Sequence, residues 1–113
     1  MTKTRSKETP VAPIEVKYPV ESRSFTSYDG TKIGYYVTGA GKTPIVVANG
    51  LGGPWGAWKY FIDYFGDRFR IYIWDYRGLY SSERPKDLAT LTVPNQCRDL
   101  EILLKKEGIP RAI

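Results

Sequence analysis

Polar and apolar residues alternate over residues 24–28 and again over residues 31–38, with Asp29-Gly30 between the two runs. Alternation with a period of two is typical of strands, and Asp-Gly is a favoured tight-turn pair, so this region predicts a β-hairpin. A continuous apolar run at residues 44–48 predicts a third strand that is buried on both faces. The folded part of the chain is therefore expected to begin with three short strands.

Helical spacing replaces this alternation in two later segments. Large apolar residues recur every three or four positions over residues 54–65, which predicts a first helix, and over residues 93–107, which predicts a second. Thr92 suits the N-cap of the second helix, and Gly108 lies just past its end. The predicted apolar face of the second helix consists of Val93, Cys97, Leu100, Leu103 and Leu104.

A run of β-branched and aromatic residues over residues 70–74 predicts a fourth strand, and residues 111–113 resemble the beginning of another. Strands separated by single helices call for parallel pairing with right-handed crossovers. The predicted fold class is α/β: a hairpin, then strand, helix, strand and helix, with a mostly parallel sheet in a three-layer arrangement. Residues 1–22, where prolines and charges are mixed, predict a flexible N-terminal arm ahead of the folded residues 23–113.

Composition excludes several classes of function. The 113 residues allow one domain or part of one, and the net charge of +5 comes from 17 basic and 12 acidic residues without a basic stripe. This distribution argues against a nucleic-acid partner. The lone Cys97 indicates a reducing compartment, and the sequence shows no apolar signal-peptide core, so a cytoplasmic location is expected. No segment approaches the roughly 20 apolar residues of a membrane span.

The glycine-rich run at residues 49–53, between the third strand and the first helix, is the main candidate for chemistry. Glycine lets the backbone turn sharply at the carboxyl end of a strand, where amide groups can point at an anionic ligand. Gly50-x-Gly52 and an acid at the end of the next strand, Asp75, also match the outline of a dinucleotide-binding unit. Its third glycine would stand at position 55, where Trp55 opposes close packing of helix and strand. That unit is the less favoured alternative.

Several motifs follow one another in a set order. They are the hairpin with its Asp-Gly turn, the loop Asn49-Gly50-Leu51-Gly52, Trp58 in the next helix, Asp75-x-Arg77-Gly78 with Ser82 and Pro85, and the helix that carries Asp99-Leu100. In this order they resemble the N-terminal part of the α/β-hydrolase fold, the class of esterases, lipases and epoxide hydrolases. Two departures from that family are visible. Asn49 replaces the usual histidine of the loop, and Leu79-Tyr80 replaces a His-Gly pair.

The resemblance implies that the loop after the third strand supplies one half of an oxyanion hole. The backbone amide carried over by position is that of Leu51, in a site loop formed with Asn49, Gly50 and Gly52. The intact relative would hydrolyse an ester or similar bond of a small molecule through a serine nucleophile. No metal and no cofactor is implied.

The resemblance assigns a structural role to the turn after the fourth strand. Its residues are Asp75, Arg77 and Gly78. The sequence contains no histidine, and the nucleophile elbow of the family would follow residue 113, so we expect no catalytic residue here and no activity of the chain by itself.

In the strand order of the family (first, second, fourth, third, fifth), the third strand becomes an exposed apolar edge, which invites pairing. We therefore expect marginal stability, self-association or pairing with a C-terminal hydrolase half. A non-catalytic module that pairs through this edge is the alternative function.

Overall fold

The computed structural model describes residues 14–51 and 53–113, which contain one four-stranded sheet. Its strands are β1 (Glu21–Thr26), β2 (Lys32–Thr38), β3 (Thr43–Ala48) and β4 (Phe69–Trp74), in the spatial order β1-β2-β4-β3. β2 is antiparallel to both β1 and β4, whereas β3 and β4 are parallel. The predicted hairpin and strand order are confirmed, but the sheet is mixed rather than mostly parallel, because β2 pairs antiparallel on both sides and only β3 and β4 are parallel.

Two α-helices accompany the strands. After β3, a 3-10 helix at Trp55–Trp58 leads into α1 (Lys59–Phe65), so the first predicted helix combines two helical types. A loop with a 3-10 turn at Leu88–Thr90 precedes α2 (Val93–Lys106). Within residues 14–51 and 53–113, no helix has the length and apolar character needed to cross a membrane.

The two helices cover opposite faces of the sheet, because side chains alternate along β4. Tyr72 and Trp74 face α2, whereas Ile71 and Ile73 face α1. The cluster beneath α2 consists of Phe25, Ile33, Tyr35, Val37, Tyr72, Trp74 and Leu103. The cluster beneath α1 consists of Val47, Ile62, Ile71 and Ile73, with partly buried aromatic residues packed against it. The predicted three-layer arrangement is confirmed.

The predicted apolar face of α2 is partly wrong. Leu103 is fully buried, but Val93 and Cys97 are exposed. The side of α2 that meets the sheet runs through Asp99 and Leu103, which are both fully buried. Cys97 lies roughly 120° around the helix from Leu103 at 100° per residue, so it projects sideways rather than into the core.

Residues 14–20 lie against α1, ahead of β1. Val16 and Tyr18 pack on the cluster beneath α1, and the Lys17 amide donates to Asp63 Oδ1 over 2.8 Å. β1 begins at Glu21, so regular structure starts slightly before the predicted boundary at residue 23. Residues 1–13 of the predicted arm lie outside the described residues.

β3 is an outer strand, and Ile113 lies beside it. The Val46 amide donates to the Ile113 carbonyl over 2.9 Å, and the Ile113 amide donates to the Pro44 carbonyl over 3.0 Å. This is the pattern of a parallel pair at one position, so Ile113 lies where the predicted further strand would begin, although residues 111–113 do not form a strand. Val46 is half-buried and Ala48 is exposed. The prediction that β3 is buried on both faces is therefore wrong, because no full strand covers its outer side within the described residues.

Candidate functional site

The loop of residues 49–53 leaves the carboxyl end of β3, beside the carboxyl end of its parallel neighbour β4. The Asn49 amide extends the pairing of the two strands by donating to the Trp74 carbonyl over 3.3 Å. Gly50 follows with φ +65°, a left-handed conformation that suits glycine. Leu51, with 82% of its surface exposed, forms the tip of the loop. Gly52 lies outside the described residues.

The buried Asn49 side chain connects the loop to three other groups. Its Nδ2 donates to the Gly53 carbonyl over 2.7 Å and to Asp75 Oδ1 over 2.9 Å. Its Oδ1 accepts a bond of 2.9 Å from the indole N–H of Trp58. The asparagine that stands in place of the family's histidine therefore joins the two ends of the loop and attaches them to β4 and to the 3-10 helix.

The Asp75 carboxylate, fully buried at the end of β4, connects this loop to the next one. Its second oxygen accepts bonds from the Ser81 amide over 3.1 Å and from the Ser81 hydroxyl over 2.6 Å. The Asp75 carbonyl accepts the Ser82 hydroxyl over 2.6 Å. Because the carboxylate is buried and bonded within the two loops, it holds them together and has no access to a ligand.

Arg77, which is itself fully buried, lies at the centre of a charge network that joins the hairpin, the loop after β4 and α2. Its guanidinium makes two bonds of 2.8 Å with Asp99 and another of 2.8 Å with Asp29. A bond of 3.0 Å to the Thr90 hydroxyl completes its contacts with the loop. The Arg77 guanidinium lowers the pKa of Asp29 to about 2 by donating to its carboxylate. These contacts make Arg77 a link between elements of the fold.

The turn after β4 contains two residues with a left-handed backbone. Gly78 has φ +85° and donates to the Glu83 carbonyl over 2.8 Å. Tyr80 has φ 48°, which a residue with a bulky side chain rarely adopts. Its hydroxyl donates to the Leu51 carbonyl over 3.3 Å. The departure from the family pattern at Tyr80 therefore brings the second loop into contact with the tip of the first.

An open cleft of about 270 Å³ lies between the two loops and the start of α2, and Leu51, Leu79 and Leu91 contribute to its lining. The Leu51 amide donates to no acceptor among residues 14–51 and 53–113. An exposed backbone amide without an internal partner can donate to an oxygen atom of a ligand. The same residues contain no group of three potential metal-binding side chains.

The sequence singled out the two loops and indicates a structural role for Asp75 and Arg77, but it does not identify several of the side chains that bind them. Asp29 was assigned only to a tight turn, yet it pairs with Arg77. Asp99 is an acidic residue next to the apolar positions of α2. Because a buried carboxylate needs a partner, its position is the signal in the sequence that a cation lies opposite. No spacing rule connects Trp58 with Asn49, because their contact depends on how the 3-10 helix packs.

The fold is similar to that of several solved structures. An α/β hydrolase from Novosphingobium aromaticivorans superimposes with a TM-score of 0.75 and 27% identity, over 87% of this chain and 34% of that one. The Cif epoxide hydrolase from Acinetobacter nosocomialis gives a TM-score of 0.67 and 26% identity, over 77% of this chain and 26% of that one. An epoxide hydrolase from Vigna radiata gives a TM-score of 0.71 and 21% identity, over 83% of this chain and 30% of that one. No protein-family model and no curated protein sequence matches the chain.

These comparisons define the class of the protein. The chain has the fold of the N-terminal part of an α/β hydrolase, with an open sheet, and it spans about a third or less of each of these structures. The dinucleotide-binding alternative does not fit this topology. Such a unit has a parallel strand on the far side of its second strand, whereas here the strand beside β4 is the antiparallel β2.

Proposed function

We propose that this chain supplies the N-terminal part of the active site of a serine-type α/β hydrolase. Such an enzyme would cleave an ester or related bond of a small molecule. In this proposal the Leu51 amide is one donor of the oxyanion hole, and the other belongs to the residue after the nucleophile. The observation that carries it is the Leu51 amide, which has no internal acceptor among the described residues and belongs to a highly exposed residue at the tip of a loop whose ends Asn49 joins. A backbone donor does not depend on the side chain, so leucine is compatible with this role.

The geometry of the loop supports this role because an oxyanion donor must be in place before the reaction. Attack on an ester carbonyl puts negative charge on its oxygen, and preorganised N–H groups stabilise that charge. The buried Asn49 side chain, bonded to Trp58 and Asp75, holds the loop without using the Leu51 amide. Loss of one such donor costs about 3–4 kcal/mol of transition-state stabilisation.

The nucleophile, the base and the acid would come from polypeptide outside these 113 residues. The sequence contains no histidine to act as the base of a serine triad. We therefore propose that the 113 residues do not hydrolyse esters by themselves. We also propose a cytoplasmic location, which the lone Cys97 supports.

An epoxide is the second candidate substrate. It is favoured by the structural similarity to epoxide hydrolases from Acinetobacter nosocomialis and Vigna radiata. The leucine-lined cleft beside Leu51 is compatible with an apolar substituent on either an ester or an epoxide.

The first experiment compares the chain alone with a completed fold. In the completed protein, residues 14–113 replace the corresponding part of the Novosphingobium hydrolase. We expect turnover of aryl esters or epoxides by the folded chimera and none by the chain alone. Turnover by the chain alone would contradict the proposed division of the site, and a folded but inactive chimera would contradict the proposed function.

Two substitutions at one exposed position test the oxyanion donor. Leu51→Pro removes the amide hydrogen, whereas Leu51→Ala retains it. In the chimera we expect kcat to fall about 100- to 1,000-fold for the proline variant and to change little for the alanine variant. Equal rates of the two variants, with circular dichroism spectra that match the parent, would show that Leu51 is not a donor.

The outer edge of β3 supports a proposal about partners. We propose that a further strand pairs with the outer edge of β3, past the position where Ile113 contacts it. This strand would come from a C-terminal hydrolase half or from a second copy of the chain. Along a parallel strand, alternate residues face the same neighbour, so Ala48 directs its amide to the same side as Val46. A leucine-containing cleft of about 270 Å³ beside α2 borders this edge.

Proline substitutions distinguish the two sides of β3. Ala48→Pro removes an amide on the outer side, and Val47→Pro removes one that faces β4. By sedimentation equilibrium we expect the parent chain to self-associate and Ala48→Pro to associate more weakly while remaining folded. Val47→Pro should lose the fold. A parent chain that stays monomeric at high concentration and binds no C-terminal hydrolase half would contradict edge pairing.

A further inference from the structure

Tyr80 combines a strained backbone with a contact to the proposed oxyanion loop. Among the described non-glycine residues it alone has a positive φ, 48°. The backbone is fixed on both sides of it, since the Leu79 amide donates to the Tyr76 carbonyl over 3.0 Å and the Ser81 amide to Asp75 over 3.1 Å. Glycine would adopt this conformation without strain, so the turn itself does not account for a tyrosine here.

The hydroxyl of Tyr80 contacts the tip of the loop after β3. The described bonds of Asn49 hold the two ends of the loop, at Asn49 itself and at Gly53. At the tip, the described bond is the one that the Tyr80 hydroxyl donates to the Leu51 carbonyl over 3.3 Å. The Leu51 amide lies between Asn49, whose amide is bonded to the Trp74 carbonyl, and the Leu51 carbonyl, so a restraint on the carbonyl reduces the number of backbone conformations open to the segment between them.

We propose that Tyr80 is a positioning residue for the loop after β3. Its left-handed backbone brings the phenol to the tip of that loop, and the hydroxyl holds Leu51 so that the amide keeps one orientation. The Asp75 carboxylate aligns the two partners because it binds Asn49 in one loop and Ser81 in the other. The consequence for catalysis rests on the proposed function of Leu51, whereas the consequence for loop order does not.

The experiment measures backbone order in the 113-residue chain labelled with ¹⁵N. Tyr80→Phe keeps the ring and removes the hydroxyl, so we expect the order parameter of the Leu51 amide to fall from about 0.85 to below about 0.6. Tyr80→Gly should lower it equally, while its urea midpoint stays equal to that of the parent or rises because the strain is gone. Tyr64→Phe, at an exposed tyrosine on α1, is the matched control and should leave Leu51 unchanged. Unchanged order at Leu51 in both Tyr80 variants would overturn the proposal.

The completed chimera separates this inference from the proposed function. If both are correct, Tyr80→Phe lowers kcat and leaves KM unchanged. If the order parameter of Leu51 falls while kcat does not change, Tyr80 positions the loop and the proposed role of Leu51 as an oxyanion donor is wrong.

Discussion

The loops after β3 and β4 leave neighbouring parallel strands at the same end of the sheet, yet they are held by different forces. Residues 75–82 are attached through the buried ion pair of Arg77 and Asp99. Residues 49–53 are attached through the neutral side chain of Asn49, and their tip is exposed. Two loops in similar positions of the fold therefore differ in what they do. The loop after β4 joins elements of the fold together, whereas the loop after β3 presents its backbone to solvent.

The physical difference lies in what each contact costs to break. A buried charge that loses its partner destabilises the fold strongly, so the loop after β4 has little freedom to move. The bonds of Asn49 to Gly53 and Trp58 join neutral groups and contribute about 0.5–1.5 kcal/mol each, and its bond to the Asp75 carboxylate contributes about 1.5–3 kcal/mol. Losing one of these bonds costs less than leaving a buried charge without its partner, so the loop after β3 is held more weakly. Asp75 links the two loops through Asn49 and Ser81.

The largest expected effect comes from breaking the charge network. Arg77→Ala leaves the carboxylates of Asp99 and Asp29 without their partner and should lower the free energy of unfolding by about 3–5 kcal/mol. Urea unfolding followed by circular dichroism measures the loss. Arg84→Ala, at an exposed arginine of the same loop, is the control and should change stability by about 0.5 kcal/mol or less. Equal losses in the two variants would refute the contrast between the loops.

A smaller loss should follow from Asn49→Ala, which leaves the Trp58 indole N–H and one Asp75 oxygen without partners. We expect about 1–3 kcal/mol, the cost of leaving buried polar groups unsatisfied. Asn95→Ala, at an asparagine whose side-chain bonds are exposed, should cost less. A loss as large as that of Arg77→Ala would mean that both loops are held equally.

Acid should weaken the loop after β4 through Asp29. The folded-state pKa of Asp29 is about 2, below its ordinary 3.8, because its carboxylate accepts hydrogen bonds from Arg77. A lowered pKa contributes stability that is present above the unfolded-state value and is lost as the pH falls from about 4 towards 2. We expect Asp29→Asn to reduce the slope of unfolding free energy against pH in that window. An unchanged slope would show that the pairing of Asp29 with Arg77 contributes nothing to the free energy of unfolding.

The smallest effect is expected at the tip of the loop after β3. Leu51→Ala should change the free energy of unfolding by about 0.5 kcal/mol or less, because the side chain is exposed. Leu103→Ala, at a fully buried leucine, should cost about 2–5 kcal/mol in the same urea experiment. A substantial loss at Leu51 would indicate that the tip is packed rather than available to a ligand.

Local signals predicted the secondary structure well. Thr92 caps α2 through the Asn95 amide, and Gly108 ends it with φ +67°. The Asp29-Gly30 turn joins β1 and β2 where the alternating pattern placed it. Each of these features depends on residues a few positions apart, so propensity and turn chemistry are sufficient.

The predictions were less complete wherever a contact joins distant residues. Cys97 was assigned to the apolar face of α2, but the pairing of Asp99 with Arg77, 22 residues away, turns another side of the helix towards the sheet. The sequence shows Tyr80 only as a departure from the family pattern, whereas in the structure its hydroxyl contacts Leu51, 29 residues away.

Patterns within the sequence were enough to predict the order of strands and helices, the class of fold and the position of the loop at residues 49–53. Periodicity, glycine and capping residues act over short distances, and the ordered motifs of the family carry the rest. Only the tertiary structure shows that Asn49 binds Trp58 and Asp75, and that Tyr80 contacts Leu51. These partners are brought together by the pairing of β3 with β4 and by helix packing, which no local pattern specifies.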